Sequence, residues 1–150
     1  MRVFSDADEL RAAAGSSIGT SDWVTIDQGR IDLFADATDD HQWIHVDAAR
    51  AADGPFGATI AHGFLSLSLL SALIAQVYEI DGGKMGINYG LNRVRFTAPV
   101  PVGSRVRGHV ELLDVSDFDG GVQLTTKVTV EIEGAQRPAL VAEWLTRRYF

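Results

Sequence analysis

Ala61-His62-Gly63-Phe64-Leu65-Ser66-Leu67-Ser68-Leu69-Leu70-Ser71-Ala72-Leu73-Ile74-Ala75-Gln76-Val77 is the stretch that decides the fold. Phe64, Leu65, Leu67, Leu69, Leu70, Leu73, Ile74 and Val77 fall on nearly every side of a 3.6-residue period, so a helix beginning near Ala61 has to be covered all round. The apolar run from Phe64 to Tyr78 is shorter than the roughly 18 to 20 residues that cross a bilayer, and it carries Ser66, Ser68 and Ser71. It reads as a buried core helix, not a membrane span.

The cover for that helix follows in sequence. Beyond Gly82-Gly83 the apolar pattern changes to period two: Val94/Phe96, then Val106/Val110/Leu112, then Val122, Leu124, Val128, Val130 and Ile132, then Leu140, Ala142 and Trp144. These are four strands. Asp119-Gly120-Gly121 marks a hairpin and Glu133-Gly134-Ala135 a further turn.

Upstream, Ser5-Asp6-Ala7-Asp8 has the form of a capping box for a short helix over Glu9–Ala14 that stops at Gly15. Gly15 to Asp22 is turn-like, and Trp23–Ile26 reads as a strand. Asp27 can cap a helix through Ala37, with Ile31, Phe34 and Ala35 on one face; Asp47 can cap another turn over Ala48–Ala52. Asp53-Gly54-Pro55-Phe56-Gly57 breaks both periodicities and is loop. Helices first, one apolar helix next and an antiparallel meander last indicate an α+β domain spanning residues 1–150, with helix packed on one sheet face.

Composition narrows the function. The 13 Lys plus Arg against 20 Asp plus Glu give a net charge of −7, which opposes generic binding to nucleic acid or anionic lipid. Cysteine is absent, so disulfides, thiolate catalysis and cysteine-ligated zinc are excluded. The acidic start, Met1 to Asp8, has no apolar run of the kind a signal peptide carries, and the cytoplasm is the expected compartment.

Two segments carry the residue types that chemistry needs. In Asp39-Asp40-His41-Gln42-Trp43-Ile44-His45 a carboxyl and an imidazole lie five apart beside Trp43 and Ile44, whose apolar bulk would move both groups toward mid-range pKa values. Alone, the segment equally fits a hydrogen-bonded surface loop. His41 and His45 also have the spacing of a zinc helix, but Gln42 stands where the catalytic Glu belongs and no third ligand follows, so no metal is expected.

The second segment, Thr59 to Phe64, leads into the apolar helix. Its unpaired N–H groups and a glycine at 63 would let a ligand carbonyl approach closely; close packing on the sheet is the other reading of Gly63. His62 reads as a structural hydrogen-bonding residue. The absence of a Gly-x-Ser-x-Gly elbow disfavours a serine hydrolase. Arg93 and Arg95 are two apart on a strand and share a face, as do Arg105 and Arg107, which suits either phosphate binding or a solvated surface.

The order of these segments resembles the MaoC-like dehydratases, the family of the (R)-specific enoyl-CoA hydratases. That family carries Gly-Asp-x-Asn-Pro-aliphatic-His, then aliphatic-x-His-Gly at the helix entry, then Phe-x-x-Pro-Val. The counterparts are Asp39 to His45, Ile60-Ala61-His62-Gly63 and Phe96-Thr97-Ala98-Pro99-Val100.

The resemblance implies a hot-dog fold, a sheet curled around the central helix. It implies Asp40 and His45 as the catalytic pair, Gly63 as oxyanion donor, and Ser68, five positions on, as a substrate contact. Gln42 would keep the amide that orients the pair, and Arg93 with Arg95 would meet coenzyme A phosphates. Asp39, Gln42 and Trp43 depart from the family's Gly, Asn and Pro, which alters the loop and the acyl pocket.

The implied reaction is hydration of a trans-2-enoyl-CoA to the (R)-3-hydroxyacyl-CoA, with the thioester as substrate and no separate cofactor, in a homodimer. A thioesterase on the same fold and a non-catalytic acyl-thioester-binding subunit are the alternatives.

Overall fold

The computed structural model describes residues 1–150. In chain order it contains β1 (Arg2–Phe4), α1 (Ala7–Ala13), β2 (Ser16–Thr20), β3 (Val24–Thr25), α2 (Gln28–Thr38), α3 (Trp43–Val46) and α4 (Ala48–Ala52). There follow α5 (Gly63–Ser68), α6 (Leu70–Ile74), β4 (Tyr78–Ile80), β5 (Met85–Phe96), β6 (Arg105–Phe118), β7 (Gly121–Ile132) and β8 (Leu140–Tyr149).

The expected caps form. Asp27 accepts from the Arg30 N–H to start α2, and Asp47 accepts from the Arg50 N–H to start α4. In α1 the box is displaced by one residue: Asp6 is the cap, accepting from the Asp8 and Glu9 amides, while the Glu9 carboxylate takes the Ser5 N–H.

The main sheet has six strands in the order β2-β6-β7-β8-β5, with β3 also on β6, and all its pairings are antiparallel. Strand β7 alternates half-buried and buried residues throughout its length, so Val122, Leu124, Val128, Val130 and Ile132 line one face. Leu65, Leu70, Leu73 and Ile74 of α5 and α6 belong to the same buried cluster as that face. Complete burial of one such Leu stabilises by about 1.5 to 3 kcal/mol. Gly108 permits the close approach, since a Cβ there would stand 3.3 Å from Leu73 Cβ.

Four expectations need correction. The central helix is not one long element: it breaks at Leu69 and ends at Ile74. The Ser68 hydroxyl donates to the Phe64 carbonyl at 2.7 Å, a back-bond of the kind that bends helices. Hydrogen bonds still cross the junction, from the Leu69 N–H to the Leu65 carbonyl and from the Leu73 N–H to the Leu69 carbonyl.

Nor is the helix covered all round, because Phe64, Ser68, Ser71, Ala72 and Ala75 are exposed along one side. Strand β5 is far longer than Val94/Phe96 suggested, taking in Gly86 to Gly90; it is a sheet edge with Met85, Ile87, Tyr89 and Leu91 exposed. Finally, the turn-like Gly15–Asp22 contains β2, and β1 forms a small parallel pair with β4, a contact between distant segments that local pattern does not carry.

Candidate active site

Helix α2 delivers the chain to Asp39, its C-cap, which has φ 57° in the left-handed region. This is where the family pattern has Gly, and the departure is tolerated because Asp is among the few side chains that visit this conformation readily. The turn leads to Asp40 and then to α3, where Trp43 occupies the first helical position in place of the family's proline. The Trp43 ring is held by the Arg50 guanidinium, 4.4 Å from its centroid, and by Gly54, which leaves no room for a side chain against the indole.

The one-turn helix α3 buries His45, which is 6% exposed. Its Nδ1 lies 2.7 Å from the Ile60 carbonyl oxygen. A carbonyl can only accept, so Nδ1 carries the proton and the neutral ring keeps a bare lone pair on Nε2. Burial holds the imidazole below its ordinary pKa; the Ile60 contact and the Asp40 charge oppose this, and neighbouring His62 reinforces it.

The structure brings Asp40 and His45 together and adds His62. The Asp40 carboxylate and ring nitrogens of His45 and His62 lie within 4.8 Å of one another. His62 is 2% exposed, stacks on His45 with centroids 3.8 Å apart, and reaches the Asp40 backbone carbonyl through Nε2 at 3.0 Å. By the same reasoning Nε2 is the donor, and the buried Nδ1 has no partner. These three side chains have the donor types to hold a divalent ion, whereas the zinc pair weighed from spacing does not form: His41 sits on the surface against Asp36 at 2.8 Å. Asp40 itself is exposed, so Trp43 and Ile44 do not enclose both members of the pair.

Gly63 opens α5 beside this cluster, and His62 makes no side-chain cap, so the Gly63 and Phe64 amides have no intrahelical partner, whereas the Leu65 N–H already donates to the His62 carbonyl. The Phe96 ring packs against the Gly63 Cα side. Gln42 is exposed; its backbone, not its amide, meets the site, the carbonyl accepting from the His45 N–H at 2.9 Å.

The amide that does steady the site is Gln28, which local spacing did not reveal. Its Nε2 donates to the His45 carbonyl at 2.7 Å, while its Oε1 accepts from the Thr59 hydroxyl at 2.6 Å. Only its place directly after the Asp27 cap hinted at a fixed orientation. Ser68 faces a cavity between helix and sheet with its proton spent on the Phe64 carbonyl. Arg93 and Arg95 lie opposite Glu143 and Val141 on the sheet face away from the helix, where they line a shallow cavity with Lys127.

The MaoC like domain family matches residues 9–134. The chain is 60% identical over 148 residues to the 3-hydroxyacyl-thioester dehydratase Z of Mycobacterium tuberculosis, covering 98% of each chain. It is 57% identical to the nodulation protein N of Rhizobium leguminosarum, over 92% of this chain and 88% of that one. Among solved structures, an unliganded R-hydratase from Pseudomonas aeruginosa superposes with a TM-score of 0.69 at 30% identity, over 88% of this chain and 81% of that one.

Proposed function

From the premise that the chain belongs to the MaoC-like dehydratase family, whose members are hydro-lyases, we propose that it reversibly hydrates a trans-2-enoyl-CoA to the (R)-3-hydroxyacyl-CoA. The observation that carries this reading is the bare Nε2 of buried, neutral His45 beside the Asp40 carboxylate. Between them the two groups hold one water over C3 of the double bond. One takes the water's proton as oxygen adds, and a proton returns to C2.

The thioester carbonyl accepts from the Gly63 N–H, where the developing enolate gains a hydrogen bond that strengthens toward the transition state. Ser68 meets the acyl chain, and Gln42 lies at the entrance. Arg93 and Arg95, with Lys127 beside them, meet the coenzyme's phosphates. The thioester is the substrate, and no further cofactor takes part.

A second copy of the chain is the natural cover for β5, an edge strand with exposed Met85, Ile87, Tyr89 and Leu91, and for Phe64 of α5. A homodimer is therefore the assembly proposed, and a sedimenting monomer at micromolar concentration would refute it.

The reaction is tested by following one sample two ways. Hydration removes the conjugated absorbance of the enoyl thioester without releasing thiol. Release of thiol at the same rate would instead make the chain a thioesterase, and binding without either change would make it a non-catalytic subunit.

A further inference from the structure

Two contiguous cavities run along the exposed side of α5 and α6, between the helices and strands β5 and β8. One, of about 350 Å³, begins at Ser68 and is walled by Leu67, Leu70 and Leu91. The other, of about 500 Å³, continues past Ile74 to Tyr78, and the two share Ser71, Asn88 and Trp144. The groove thus starts little more than one turn from Gly63, follows the helices from Ser68 to Ile74 for about 9 Å at 1.5 Å per residue, and continues beyond the helix end to Tyr78, so that only a long acyl chain reaches its far end.

Its far end is not apolar. Thr146 and Arg148 are two apart on β8 and both face the helix side of the sheet, where they line the second cavity with Tyr78. Thr146 is 4% exposed, and its Oγ1 has no hydrogen-bond partner; the buried Nε of Arg148 has none either. Native interiors rarely leave such groups unpaired without a ligand or water to meet them.

The guanidinium passes close over Gly86, where a Cβ would displace it, and both it and the buried Tyr78 line the second cavity. Glu79, at the exposed rim, forms no ion pair with it.

We infer that the acyl chain taken by this groove carries an oxygen at its distal end, which accepts hydrogen bonds from Arg148 and Thr146. The inference rests on the enoyl-thioester reading above and adds the substrate class to it. A plain methyl end would leave Nε and Oγ1 unpaired and press apolar surface onto a charge. A carboxylate suits the guanidinium best, because its two oxygens match the planar fork of donors; a neutral keto or hydroxyl oxygen satisfies the same groups without the ion pair.

The test uses long trans-2-enoyl-CoAs of matched length ending in methyl, hydroxyl or carboxylate, with trans-2-butenoyl-CoA as a short substrate that does not reach Arg148. Wild-type enzyme is expected to prefer at least one oxygen-bearing arm over methyl by about tenfold or more in kcat/KM. A preference confined to the carboxylate identifies an acid; one shared by the hydroxyl arm identifies a neutral acceptor.

Arg148→Met should bring that ratio close to unity. The ratio is independent of how much enzyme is folded, so a partly unfolded variant still reports. Thr146→Val, which removes only the unpaired hydroxyl, should lower the ratio while keeping the fold. Equal or better turnover of the methyl arm, or a ratio untouched by both variants, overturns the inference and leaves the hydratase reading intact if butenoyl-CoA is hydrated. Hydration of none of the four, butenoyl-CoA included, overturns both.

Discussion

Replacing Gly63 by Ala separates the packing role of this glycine from its chemical one. The added Cβ would stand 3.2 Å from Cδ1 and Cε1 of Phe96, tight enough that the ring has to move by a few tenths of an ångström. Phe96 is 48% exposed and can do so. No left-handed φ restricts this position, and Ala is the better helix former by up to about 1 kcal/mol. Stability should therefore change by no more than about 1 kcal/mol, or roughly 2 to 4 °C in Tm for a chain of this length.

In the proposed binding mode the added methyl would also crowd the approach of the thioester carbonyl to the residue 63 amide. Alanine keeps the N–H, so the effect comes from blocking the hydrogen bond, and its upper bound is the cost of losing one oxyanion donor, about 2.7 to 4 kcal/mol or roughly 10² to 10³ in kcat. The assay is the disappearance of enoyl-thioester absorbance, with a thermal melt on the same preparation. Combining Gly63→Ala with Phe96→Leu relieves the ring contact, so recovery in the double variant would trace the defect to packing. Wild-type turnover in folded Gly63→Ala would refute the oxyanion argument outright.

Other consequences are as specific. Asp39→Gly relieves a left-handed φ of 57°, and thermal denaturation should record a gain of about 1 kcal/mol, with no gain refuting the strain. Leu73→Ala removes a fully buried side chain from the helix–sheet contact and should cost about 2 to 5 kcal/mol in urea titration.

The pKa of His45 is lowered on folding, so between that value and the ordinary value of about 6.5 the unfolded chain binds the extra proton. Its contribution to stability is therefore complete above about pH 6.5 and is lost as pH falls toward the folded pKa. The acidic limb of kcat should likewise lie below about pH 6.5, and a limb above that value would contradict a buried neutral imidazole.

Much of the fold is legible because burial is written locally. The alternation in β7 and the Asp27 and Asp47 caps each depend on residues within a few positions of one another, and each forms as expected. Strand β5 is obscured because an edge strand need not bury every second residue, and irregularities between Asn88 and Gly90 and between Leu91 and Arg93 shift its alternation. The break at Leu69 follows the Ser68 hydroxyl's bond to the Phe64 carbonyl, a local side-chain contact that hydropathy does not record.

At the site, the spacing of Asp40 and His45 was readable, whereas their support is not local. His62 reaches Asp40 across 22 positions, and Gln28 links His45 to Thr59 across 17 and 31. Gln42 is expected to orient the pair because it stands at the position of the family's Asn; its side chain lies at the surface, and the amide that hydrogen-bonds the His45 carbonyl is that of Gln28.

The most direct measurement is turnover of a trans-2-enoyl-CoA by Asp40→Asn and His45→Gln beside the wild-type enzyme. Each substitution nearly preserves shape while removing a group that can exchange a proton. Hydration should fall to background in both, with the melting transition still cooperative and no thiol released by any of the three proteins. Near-normal hydration by either folded variant would contradict the assignment of Asp40 and His45 as the acid/base pair.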